Sequence, residues 1–137
     1  MTSPALRDRY LADSVNTASP ARLLVMLYDR LVLDLVRAEQ ALRDGDREEG
    51  SAQLLHAQEI VLELTTTLDT GAWSGAPALA QVYVFLLNEL MAANVHADPG
   101  RTAGCRRLVE PLSAAWREAA LATASEPAPA SSAPRVG

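Results

Sequence analysis

Tyr28–Asp29, Asn94, Cys105, the pair His56-x-x-Glu59 and the spacing Gly71-x-x-x-Gly75 are the places where this chain could do chemistry. A phenol beside a carboxylate can move a proton, and a histidine and a glutamate one helical turn apart can share a metal. A thiol can serve as a nucleophile, and a glycine loop can cradle a phosphate. Each lacks the company its chemistry needs. A di-metal bundle takes two Glu-x-x-His motifs and two further glutamates, and the chain has no Glu-x-x-His. Gly75 is not followed by the lysine of a phosphate loop. Cys105 has no neighbouring histidine in sequence and falls on an apolar stripe, so a buried thiol is expected. Tyr28 is expected at a helix interface with a hydrogen-bonding neighbour. Asn94 is expected to reach either a partner's backbone or another helix. No catalytic residue, metal or cofactor is expected: the chain is read as a non-enzyme.

The elements that would carry these residues are helices. Ser19 followed by Pro20 is a capping residue with proline at the first helical position, where its missing N–H costs nothing. Leu24, Leu27, Leu31, Leu35, Ala38 and Leu42 continue at helical spacing until Gly45. Asp46 with Glu49 restarts a helix almost at once, so the second helix runs antiparallel to the first. Its stripe is Leu54, Ala57, Val61, Leu64 and Leu68. After a glycine loop, Leu79, Tyr83, Leu86, Leu90 and Ala93 mark a third helix. Cys105, Leu108, Leu112, Ala115 and Ala119 mark a fourth, which Pro111 should kink or divide. The expected architecture is all-α, an antiparallel four-helix bundle over 17–124 with helices at about 20–44, 47–69, 77–97 and 100–123. A weakly patterned N-terminal arm over 1–16 precedes it, and a Pro/Ala/Ser tail over 125–137 is expected to be disordered.

The net charge is −5, and all 12 basic residues are arginines scattered along the chain, so a nucleic-acid partner is disfavoured. One cysteine suits a reducing compartment, and the N-terminus has no apolar signal core. Charged and amide residues interrupt the two most apolar windows, so neither is read as a membrane span. Those windows nonetheless hold more apolar surface than one core face needs. From Leu23 to Val36, 11 of 14 residues are apolar, and from Ala78 to Val95, 14 of 18. Beside the core stripe of helix three runs a second one, Ala80, Val84, Leu87, Met91 and Val95. A helix apolar all round is buried on more than one side, by its own chain, by a copy of itself or by a partner.

Val15-x-Thr17-Ala18-Ser19-Pro20, then Leu23, then Met26-Leu27-Tyr28-Asp29, resembles the N-terminal signature of the FliS family, the flagellar export chaperones for flagellin. Tyr10 stands five residues before Val15, as that family's early tyrosine does. The segments AQEIVLELTTTLD, VYVFLLNELMAAN and PLSAAW are similar, in order, to the family's later landmarks. The chain departs from them at Ala21–Arg22, where an acidic residue is common, and at Val84–Phe85 and Leu86–Leu87–Asn88, which are more apolar than usual.

The resemblance implies a cytoplasmic protein that binds the C-terminal segment of flagellin. It would prevent premature polymerisation and present its client to the flagellar export gate, without membrane insertion. It further implies that the client lies around the bundle as short helices and linkers, with the arm as a removable cover. Partner contacts are then expected from Tyr10 and Val15 in the arm, Met26 and Leu33 on helix one, and Val84, Phe85, Leu87, Met91, Asn94 and Val95 on helix three. The residue pattern alone leaves a second reading open: a structural bundle that self-associates through helix three, giving a homodimer when free.

Overall fold

The structure, a computed structural model, describes residues 19–125. The arm, Tyr10 and Val15 within it, and the tail beyond Ser125 lie outside the described residues. Four helices follow one another: α1 (Pro20–Arg43), α2 (Arg47–Thr67), α3 (Ala76–His96) and α4 (Pro99–Ser125). The connections are short, so consecutive helices run antiparallel. α1 packs against α2 and α4, and α3 closes the ring between those two, leaving α1 and α3 on a diagonal. The all-α antiparallel bundle expected from the sequence is what forms.

Local chemistry explains the ends. The Ser19 hydroxyl accepts the Arg22 N–H at 3.2 Å, and Asp46 accepts the Glu49 N–H at 3.1 Å, each satisfying an orphan donor of the first turn. The Glu49 carboxylate turns away from the reciprocal bond and accepts from Gln53 instead. Gly45 sits at φ +81°, where a side chain would be strained, and lets the chain reverse between α1 and α2.

The core is built from the faces that helical spacing marks out. Leu27, Leu31, Leu35 and Ala38 of α1 meet Leu54, Ala57, Val61 and Leu64 of α2. Leu79, Tyr83, Leu86, Leu90 and Ala93 of α3 complete it. By length and composition α3 is apolar enough to cross a membrane, yet those five residues are bundle core. For α4 the expected face is only partly right: Cys105 is core and Leu108 and Leu112 pack against it, but the buried stripe is turned away from Ala115 and Ala119. Its buried residues are Thr102, Ala103, Cys105, Val109 and Ser113, while Leu108 and Leu112 are half-buried and Ala115 and Ala119 exposed. The true stripe contains two hydroxyls and so reads as polar. The Thr102 hydroxyl donates to the Asp98 carbonyl at 2.9 Å, which removes the cost of burying it.

α4 runs unbroken through Pro111, so the proline does not divide it. Pro111 is exposed, and it removes a backbone bond to residue 107. Restoring that bond with Pro111→Ala should raise the free energy of unfolding by about 1–3 kcal/mol, read from urea titrations followed by circular dichroism.

Candidate client-docking face

Two tyrosines meet on the bundle's diagonal. The hydroxyls of Tyr28 on α1 and Tyr83 on α3 lie 2.6 Å apart and buried. The Trp116 indole of α4 tilts over Tyr28 at 6.3 Å between centroids. The expected interface role of Tyr28 is therefore what the structure shows. Its neighbour Asp29 points outward to an ion pair with Arg117 of α4. Burial pushes the Tyr28 phenol above its ordinary value, and the bond to Tyr83 and the neighbouring Trp116 indole offset part of that rise. Tyr83 is raised by burial and by the adjoining Tyr28 hydroxyl. Burial, then the negative charge of Glu89, pushes the Cys105 thiol up to about 11 against an opposing pull from Arg101.

These three raised groups set a pH dependence. Each binds its proton more tightly folded than unfolded, so the stabilisation is complete below the ordinary pKa values of 9.0 for the thiol and 10.0 for the phenols. It is lost as pH rises above them. The chain has no lysine, so few other groups titrate in that window. Urea midpoints should hold to about pH 9 and fall steeply by pH 11. The fall should be shallower in Tyr83→Phe; an unchanged slope would remove Tyr83 as its source.

His56 turns out to be structural. Its Nδ1 bonds the Asp34 carboxylate, which is fully buried and also accepts from Arg30 Nε at 2.9 Å. The sequence showed Asp34 only as an interruption of an apolar run. It is the acceptor that ties α1 to α2. Glu59 takes no part, and no group of metal-binding side chains occurs among the described residues.

What stands free is apolar. On α3 Val84, Met91 and Val95 of the second stripe face outward, 52%, 46% and 67% exposed, with Phe85 beside them at 54%, while Ala80 and Leu87 of that stripe are half-buried. Asn88 and Gln81 share that face, and among the described residues neither amide makes a hydrogen bond. Glu89, the sole acidic residue of α3, is turned aside to α4, where Arg101 holds it at 3.2 Å. On the other flank Arg47 of α2 donates to the Val95 carbonyl at 2.8 Å. Counting back along the antiparallel pair from that bond brings Leu55 of α2 level with Leu87, and Leu55 and Leu62 are both about half exposed. The outward face of α3 thus carries no charged side chain and continues onto α2.

The candidate contact residues divide between opposite sides. Val84, Phe85, Met91 and Val95 are together and exposed, with Asn94 half-buried beside them. Leu87 is also half-buried and packs against the core, so it is a shoulder of the face and not its centre. Met26 and Leu33 lie across the bundle, in two grooves between α1 and α4 of about 740 and 460 Å³. Leu33 lines the larger with Val32, Val36 and Leu121, and Met26 the smaller with Val25 and Ala120. Asp29 and Arg117 border both.

Residues 2–123 match the family model described as "Flagellar protein FliS". The chain is also similar to the flagellar secretion chaperone FliS of Bacillus subtilis (strain 168). Identity there is 33% over 110 residues, covering 80% of this chain and 82% of that protein. With nearly the whole bundle matched and a relative aligned over most of both lengths, the chain belongs to the FliS family of flagellar secretion chaperones, which are not enzymes.

Proposed function

We propose that this chaperone is cytoplasmic and holds the C-terminal segment of flagellin against the uncharged outward face of α3. The observation that carries the reading is the stripe Val84–Met91–Val95 with Phe85, exposed on a member of this family. A client helix with apolar residues at i, i+3, i+4 and i+7 matches that stripe, and α2 adds Leu55 and Leu62 at its edge. Covering the client's own apolar face keeps it from polymerising before export. The bound pair then goes to the flagellar export gate. The α1–α4 grooves, with Met26 and Leu33, take a second stretch of the same segment or the chain's own arm. The smaller groove starts at Ser19, where an arm carrying Tyr10, Leu11 and Val15 would enter it.

Isothermal titration with a flagellin C-terminal peptide should give a 1:1 complex with a negative heat-capacity change from apolar burial. Absence of heat and of any mass shift at high micromolar peptide would reject the reading. Deleting residues 1–14 should leave peptide affinity unchanged or raise it; a weaker complex would contradict the arm's role as a cover.

A further inference from the structure

We propose that Asn88 and Gln81 select the client by its uncharged polar side chains. The helix this face accepts carries an amide or a hydroxyl at two positions seven residues apart, the separation of the two amides, with apolar residues between. The inference rests on the client reading above and adds which apolar helices the face takes and which it turns away. Asn88 stands two residues from buried Leu86 and two from buried Leu90, about 160° round the helix from each. Gln81 stands in the same relation to buried Leu79 and Tyr83. Both amides therefore lie on the midline of the outward face, two turns apart. Val84 and Phe85 lie between them, and Met91 and Val95 beyond. Both amides are exposed, and neither makes a hydrogen bond among the described residues.

In the free chain these amides are open to water, so neither costs anything. A client laid over the face removes that water. An amide covered by leucine or valine is left without its bonds, which weakens the complex about tenfold. Asparagine and glutamine each donate and accept, so Asn, Gln, Ser or Thr on the client restores the bonds. A charged client residue at these places meets no opposite charge. Glu89 is held by Arg101 on α4, and Arg47 is bonded two turns away at the Val95 carbonyl. The separation also fixes register. Sliding the client by one turn sets both amides against its apolar residues, so one alignment satisfies the two together.

Titration calorimetry of the full chain with the flagellin C-terminal peptide tests the assignment. Each Asn, Gln, Ser and Thr of the peptide is replaced singly by leucine. On the wild type, replacements at two positions seven residues apart should each lose about tenfold in affinity. Glutamate at either of those positions should lose more than a hundredfold. Asn88→Leu should reverse the preference at one of the two positions, so that the leucine peptide binds more tightly than the parent. Gln81→Leu should do the same at the other. Both replaced residues are exposed, so helicity by circular dichroism should stay as in the wild type. A scan with no sensitive position would overturn the proposal while the client reading stood. So would sensitive positions at another separation, or a leucine penalty that Asn88→Leu and Gln81→Leu leave unchanged. A parent peptide that does not bind the wild type would reject the client reading itself, and the proposal with it.

Discussion

Replacing Val84 and Met91 together by aspartate should weaken binding of the flagellin C-terminal peptide by about a hundredfold or more, without lowering helicity. Both side chains are about half exposed, so neither holds the core together. Their apolar surface is spare in the free chain and useful only when covered. Full burial of such a side chain is worth about 1.5–3 kcal/mol, of which roughly half remains to be gained at each of these half-covered positions, and every 1.4 kcal/mol is about tenfold in affinity. Aspartate also puts a charge into a dry contact, at further cost. Titration calorimetry reads the affinity, and a thermal melt by circular dichroism checks the fold. If the double variant binds like wild type, the client lies elsewhere, and the α1–α4 grooves become the first place to look.

Leu86→Asp, only two residues from Val84, should unfold the bundle. Leu86 is 1% exposed, with Tyr83 and Leu90 on the same buried face of α3. An unpaired carboxylate there costs several kcal/mol beyond the lost leucine contacts, against a total of about 5–15 kcal/mol for a domain of this kind. The melt should lose its cooperative transition, and ellipticity at 222 nm should drop near 25 °C. A folded Leu86→Asp protein would mean that the faces of α3 are assigned wrongly.

Periodicity made this division of α3 readable before any coordinates, because its core stripe is purely apolar and unbroken. The same rule was only half right on α4, where Cys105 is core but the stripe is turned from the one expected. Thr102 and Ser113 sit on the buried stripe, so a search for leucine and alanine turned the helix toward Leu108, Leu112 and Ala115 instead. A hydroxyl that bonds its own helix's backbone, as Thr102 does, looks polar in sequence and behaves as a small apolar group in a core. Asp34 escaped notice for a related reason: its partner His56 lies 22 residues away, and spacing along one helix carries no trace of a bond to another. The outward stripe of α3 was legible as surplus. Its separation from Met26 and Leu33 was not, because which helices neighbour one another is a property of the ring and not of any single strip.

The loop before α3 adds a built-in optical reporter. Trp73 stands edge-on to Trp116 at 6.4 Å between centroids and 88° between planes, and these are the chain's two tryptophans. Gly75 makes room for the stack: a Cβ there would lie 1.9 Å from the Trp73 ring. The pair bridges a solvent-exposed loop and the helix that borders the α1–α4 grooves, so a movement of either partner changes emission and near-ultraviolet dichroism together. Client loading can therefore be followed in unlabelled protein. Gly75→Ala, which must push Trp73 off its neighbour, supplies the reference spectrum for the unstacked state.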